Sequence, residues 1–300
     1  MSDAPSVRER VAYRAFATVA WLGRTLPTRT GRLVFRWAGS TAYHLAPSAR
    51  ATVAANQARV IGRSVEDPLV RASTKEAFRR YARYWFDAFD VVDWSDAEIQ
   101  RTFAWNGLEH LADPVAAGTG VIAVLPHMGN WDAAGRAMHE RGLPVVSVAE
   151  RLRPDELFDL FLEHRQALGM TIIGLDRNGR VGRELSKAIA DGRVVALVAD
   201  RDLTGRGLEV EMFGGRRTLP AGPALLAISS GAPIVIAAIY ETPDGWRCVL
   251  QPLPEVERTG NRREDATAIT REIARAFERI ISASPPDWHL FQPGWSDRDD

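Results

Sequence analysis

Apolar residues recur at three- and four-residue spacing through the first hundred positions, and in short uninterrupted runs after residue 120. The first spacing predicts helices over 7–23, 29–45 and 47–61, broken at Pro27 and Pro47, and a longer helix over 68–92. In that longer segment Phe78, Tyr81, Ala82, Trp85, Phe86 and Phe89 share one stripe, which reads as a core-facing surface and not as a ligand-binding aromatic box. The second pattern predicts strands over 120–125, 144–149, 170–175, 193–199, 208–213, 233–240 and 246–252. Helical stretches over 130–142, 155–169, 180–191 and 220–231 separate them, and another follows over 264–283. Such alternation predicts an α/β fold, with a mostly parallel central sheet flanked by helices on both faces and a helical N-terminal extension. The last two strand runs are close enough in sequence to add an antiparallel pair. The expectation is one domain over 1–300, with a helical part over 1–105 and an α/β core over 106–300.

Composition narrows the classes. At 46% hydrophobic and 25% charged, the 300-residue chain is neither disordered nor fibrous. A single cysteine, Cys248, excludes an intramolecular disulfide and a multi-cysteine metal site. The net charge of zero argues against a general nucleic-acid binder, but the charge is unevenly spread. Residues 1–50 hold eight arginines against Asp3 and Glu9, so the remaining 250 residues carry a net −6. The basic end also holds Phe16, Trp21, Phe35 and Trp37, a combination suited to an anionic membrane surface. Solvated amphipathic helices fit the same pattern. The apolar run over 15–22, between Arg14 and Arg24, is too short to cross a bilayer.

The best candidate for chemistry follows the first strand of the second region, in Leu125-Pro-His127-Met-Gly-Asn-Trp-Asp132. His127 leaves the carboxyl end of a buried strand, the edge at which open α/β sheets bind ligands, and a helix begins a few residues later. Across that junction the Asp132 carboxylate is expected to fold back and accept from Nδ1–H, leaving Nε2 as a base with its tautomer fixed. Gly129 is expected to let the backbone approach a substrate, and first-turn amides of the helix to face a developing oxyanion. His44, His110, His139 and His164 fall in helical patterns without such context, and His289 reads as a packed residue. The chain has no H-E-x-x-H, no G-x-x-x-x-G-K, and no G-x-G-x-x-G after a first strand. There is no G-x-S-x-G either, and Cys248 falls mid-strand, so covalent catalysis has no obvious nucleophile.

The segment His127-Met-Gly-Asn-Trp-Asp132 resembles the H-x-x-x-x-D signature of the glycerolipid and lipid A acyltransferase superfamily. Similarity extends through Val148-Ala-Glu150-Arg151-Leu-Arg-Pro154, the segment 161–170 with Arg165, Ala199-Asp200-Arg201-Asp202, Phe213-Gly-Gly and Leu219-Pro-Ala-Gly-Pro-Ala. Within the superfamily the chain looks most like the actinobacterial phosphatidylinositol mannoside acyltransferases. The resemblance implies acyl transfer from a thioester to a hydroxyl, with His127 as general base and an acidic partner. Asp132 is one candidate for that partner; Asp200, carried over from the mannoside acyltransferases, and Asp202 are the others. Candidate substrate contacts are Asn130 within the motif, Glu150 toward sugar hydroxyls, Arg165 toward a phosphate or Glu150, and Asp202. Arg201, with Arg206, Arg216 and Arg217, is a candidate contact for acyl-CoA phosphates. The expected partners are long-chain acyl-CoA as co-substrate, an anionic glycolipid acceptor and the inner leaflet of the plasma membrane. No metal, cofactor or nucleic acid is expected. A lipid A or lysophospholipid acyltransferase drawing on acyl-CoA or acyl carrier protein, a thioesterase, and a non-catalytic lipid-binding protein remain as alternatives.

Overall fold

Four helices open the chain: α1 (Val7–Thr25), α2 (Thr28–Leu45), α3 (Pro47–Ile61) and α4 (Pro68–Asp90). Their ends follow from local chemistry. Ser6 and Glu9 form a reciprocal capping box on α1. Asp67 caps α4 by accepting from the Leu69 amide at 2.8 Å, with Pro68 at the first helical position. Helix α2 packs on α4 through glycines: a Cβ at Gly31 would stand 2.0 Å from the Phe86 ring. The computed structural model describes residues 6–175, 180–202 and 205–295.

The rest alternates as α5 (Asp96–Thr102), β1 (Phe103–Asn106), α6 (Glu109–Ala116), β2 (Val121–Leu125), α7 (Trp131–His139), β3 (Val145–Ala149), α8 (Asp155–Ala167) and β4 (Thr171–Gly174). There follow α9 (Arg180–Ala190), β5 (Val194–Val198), β6 (Leu208–Met212), β7 (Gly215–Leu219), α10 (Gly222–Ser230), β8 (Ile234–Glu241), β9 (Trp246–Pro252) and α11 (Arg262–Ala283). Seven strands form one sheet in the order β1-β9-β8-β2-β5-β3-β4. Strands β8, β2, β5, β3 and β4 are mutually parallel, and β9 runs antiparallel to β8. Both faces are covered, each by its own apolar core, so β2 and β5 at the centre are uninterrupted runs of Val, Ile, Leu and Ala. The α/β architecture and its late antiparallel pair are those expected.

Three details differ. The run at 208–213 leaves the central sheet and pairs with β7 as a separate hairpin. Strand β1 adds an edge beside β9. The aromatic stripe of α4 divides: Phe78, Phe86 and Phe89 are buried in the core, whereas Tyr81 and Trp85 face a cavity. Among the described residues no helix is long and apolar enough to cross a membrane.

Candidate active site

Strands β2 and β5 are neighbours in register, with Leu125 opposite Val198 and the Ala199 amide donating to the Leu125 carbonyl at 2.8 Å. His127 and Asp200 each lie two residues past that pair, so both emerge at the carboxyl edge of the sheet. The order of strands reverses there, since β3 and β4 extend the sheet to one side of this pair and β8 to the other. His127 Nδ1 stands 2.5 Å from Asp200 Oδ1. The other carboxylate oxygen accepts from the Trp288 indole N–H at 2.8 Å, and the Asp200 carbonyl accepts from Arg217 Nη2 at 2.6 Å. Burial alone opposes ionisation of Asp200, but the His127 ring, Arg217 and the indole N–H outweigh it and hold the carboxyl below the usual carboxylate range. An ionised Asp200 places the proton of the imidazole on Nδ1 and leaves Nε2 for chemistry.

The Asp132–His127 contact expected from the sequence does not form. Asp132 sits in the first turn of α7 with its carboxylate buried, and Arg165 Nε on α8 donates to Oδ1 at 2.7 Å. The Tyr84 hydroxyl on α4 donates to Oδ2 at 2.8 Å. Burial would raise the Asp132 pKa, yet Arg165 outweighs it and keeps the carboxyl below its ordinary range. The physical reason is the turn. Gly129 bonds back to the Asp287 carbonyl and Asn130 closes the helix, so α7 starts with Asp132 directed at α4 and α8. Arg165 therefore meets Asp132 and not Glu150. Asn130 is also reassigned: its side chain accepts from the Ala133 amide at 2.9 Å as the cap of α7, and it does not line the cavity. That contact takes one of the first-turn amides proposed for an oxyanion.

Gly129 serves packing and not substrate approach. Its φ is +62°, and a Cβ there would stand 2.1 Å from the Ile239 carbonyl oxygen on β8. We expect Gly129→Ala to cost about 1–3 kcal/mol of stability through this overlap, read by chemical denaturation. Activity at a temperature where the variant is folded should fall as well, because His127 is two residues away.

His127 opens onto a cavity of about 650 Å³, within the range of small-molecule sites. Its walls are mostly apolar, among them Phe16, Trp85, Leu157, Phe161, Leu185 and Leu225. Glu150, Arg165, Arg201 and Asp202 also line it, with Glu150 exposed at its rim. Asp202 Oδ2 accepts from the Gly207 amide at 2.7 Å, which turns it toward its own loop and not toward His127.

Two residues of the site have no local sequence signal. Trp288 pairs with Met128 as an isolated bridge, and the His289 amide donates to the His127 carbonyl at 2.7 Å. The C-terminal segment thus behaves as an added strand beside the histidine loop. His289 lines the cavity instead of only packing, and burial pulls its pKa down to about 3, so the ring is neutral and donates from Nε2 to the Gly129 carbonyl. Arg217, grouped by sequence with Arg201, Arg206 and Arg216 as a contact for donor phosphates, is buried and does not line the cavity. Cys248 lies buried in β9, where burial pushes its thiol up to about 12.

The chain is similar to known acyltransferases. The profile described as bacterial lipid A biosynthesis acyltransferase matches residues 4–297. A phosphatidylinositol mannoside acyltransferase of Mycolicibacterium smegmatis is 37% identical over 244 residues, covering 80% of this chain and 77% of that protein. One from Mycobacterium tuberculosis is 38% identical over 246 residues, covering 80% and 75%. A lipid A biosynthesis acyltransferase of Haemophilus influenzae is 23% identical over 213 residues, covering 70% and 64%. With the profile matched along nearly the whole chain, the protein belongs to the bacterial lipid A biosynthesis acyltransferase family and is an acyltransferase.

Proposed function

We propose that this protein transfers a long-chain fatty acyl group from acyl-CoA to a mannose hydroxyl of phosphatidylinositol mannosides, with His127 as general base. The observation that carries the reading is the His127–Asp200 pair at the wall of a large apolar cavity. Nε2 takes the proton of the acceptor hydroxyl as its oxygen attacks the thioester carbonyl. The tetrahedral intermediate collapses with cleavage of the C–S bond, and the imidazolium returns its proton to the departing thiolate. Asp200 holds the ring and stabilises the imidazolium while it exists. Transfer is direct, because the Cys248 thiol stays protonated in the core and cannot serve as nucleophile. The apolar wall suits an acyl chain. Glu150 and Asp202 are the side chains offered to sugar hydroxyls, and Arg201 to the phosphates of the donor. The mannoside acceptor is supported by the names of the mycobacterial relatives.

The reaction would take place on the cytoplasmic face of the plasma membrane, with the protein attached peripherally. Helix α2 buries Gly31, Phe35 and Gly39 and turns Leu33, Val34, Trp37 and Leu45 outward, Trp37 being 71% exposed. Helix α1 likewise exposes Val7, Val11 and Trp21 beside Arg10, Arg14 and Arg24. Apolar residues on the solvent side among arginines fit the interface of an anionic bilayer. Trp37→Ser is expected to weaken co-sedimentation with phosphatidylglycerol-containing vesicles roughly tenfold, with residual binding reduced by salt. Equal binding by the variant would remove α2 from the contact.

The direct test incubates the protein with palmitoyl-CoA and a panel of anionic glycolipids and identifies products by mass spectrometry. The expected result is a phosphatidylinositol mannoside carrying one added acyl chain, with free CoA in equal amount. Free fatty acid without acylated lipid at saturating acceptor, or acylation confined to a lipid A precursor, would overturn the reading.

A further inference from the structure

Asp200 is held from behind by side chains that lie off the cavity wall. Arg217 is on β7, where burial alternates, so that Gly215, Arg217 and Leu219 turn inward and Arg216 and Thr218 outward. Its guanidinium carbon stands 5.2 Å from the Trp288 ring centre and 5.1 Å from that of Trp295, a planar cation against two indoles that themselves meet edge to face. Each indole is anchored by its own N–H: Trp288 on the Asp200 carboxylate at 2.8 Å, Trp295 on the Met212 carbonyl at 2.8 Å. Asn56 on α3 fixes the stretch between them by donating to the carbonyls of Leu290 and Gln292 at 2.9 and 2.8 Å. A guanidinium that is 4% exposed carries a large desolvation penalty, so its place beside Asp200 calls for compensation of that scale.

We propose that Arg217 and Trp288 are positioning residues that set how much of the charge of Asp200 reaches His127, and thereby the pH range in which His127 works as a base. The inference rests on the reading of His127 as the base. Oδ1 of Asp200 faces the imidazole while Oδ2 is bound by the indole, and the cation lies on the carbonyl side of the same residue. Trp288 withdraws negative charge from the carboxylate through its hydrogen bond, and Arg217, bound to the backbone carbonyl, offsets that charge through its field. When one is removed, the carboxylate holds the imidazolium more tightly.

Other ionisable groups surround His127. His289 of the C-terminal segment, Tyr81 and Tyr84 of α4, and Arg165 of α8 share its cavity. So do Glu150 after β3 and Arg201, Asp202 and Arg206 after β5. All of them are retained in the variants below, so differences from the wild-type profile isolate the two positioning residues.

Trp288→Phe keeps an aromatic ring and removes the N–H; Arg217→Met keeps an apolar stem against the indoles and removes the cation. The pH dependence of kcat is measured for full-length protein at saturating palmitoyl-CoA and glycolipid acceptor, with circular dichroism to establish folding. Both variants are expected to lose roughly tenfold in kcat with KM unchanged, and to shift the acid limb of the profile to higher pH. If one variant does not fold, the other decides. A folded variant with the wild-type acid limb overturns the inference, whereas retention of activity by His127→Ala in the same assay would overturn the underlying reading instead.

Discussion

Replacing Asp200 with asparagine is expected to lower kcat for acyl transfer by roughly 10³–10⁴-fold with little change in KM. The direction follows from the second hydrogen bond on the carboxylate. Trp288 donates to Oδ2, so the asparagine amide must turn its oxygen to the indole and its NH₂ to His127 Nδ1. An NH₂ facing Nδ1 forces the proton onto Nε2, the nitrogen that must be free to accept one. The variant should fold, because shape is kept and Trp288 keeps an acceptor. A steady-state assay at saturating substrates checks this. A variant with near wild-type kcat would show that Asp200 does not govern the tautomer.

The largest effect on stability is expected at the other buried carboxylate. Arg165→Ala leaves Asp132 buried with only the Tyr84 hydroxyl as a side-chain donor, and breaking such a pair costs about 3–5 kcal/mol. Urea unfolding at neutral pH reads the loss. The sign of its pH dependence is fixed. Burial opposes ionisation of Asp132, but Arg165 holds its folded-state pKa below the ordinary value. Its contribution is therefore fully present above the unfolded-state pKa, and is lost as pH falls through the lower folded-state value. In the variant the carboxyl takes up a proton more readily, so the gap between wild type and Arg165→Ala should narrow in acid. A gap independent of pH would place the cost in lost packing of the arginine stem and not in the unpaired charge.

These two carboxylates also show where the sequence is legible and where it is not. The strands β2, β3, β5 and β8 were readable because strands covered on both faces are written as continuous apolar runs. His127 was readable because it follows such a run at a strand-to-helix junction. Which acid meets it was not, since the answer depends on β5 pairing directly with β2 and on the angle at which α7 leaves the turn. Five residues of local sequence fix neither. Strand β1 has four residues and ends in Asn106, too short for its period to register. Strand β7 alternates inward and outward, but its inward positions include Gly215 and Arg217, so no apolar period registers. Trp288 reaches Asp200 across 88 residues of chain, and no nearby pattern announces that contact. A candidate base at a strand end is thus visible early, and the side chains that hold it only after folding.

Removal of the acceptor hydroxyl's proton is assigned to one imidazole. That assignment is tested most directly by His127→Ala, followed as transfer of radiolabelled palmitate from palmitoyl-CoA into the glycolipid fraction under single-turnover conditions. A folded variant that still binds donor is expected to lose roughly 10²–10⁴-fold in rate. Transfer at the wild-type rate would contradict it.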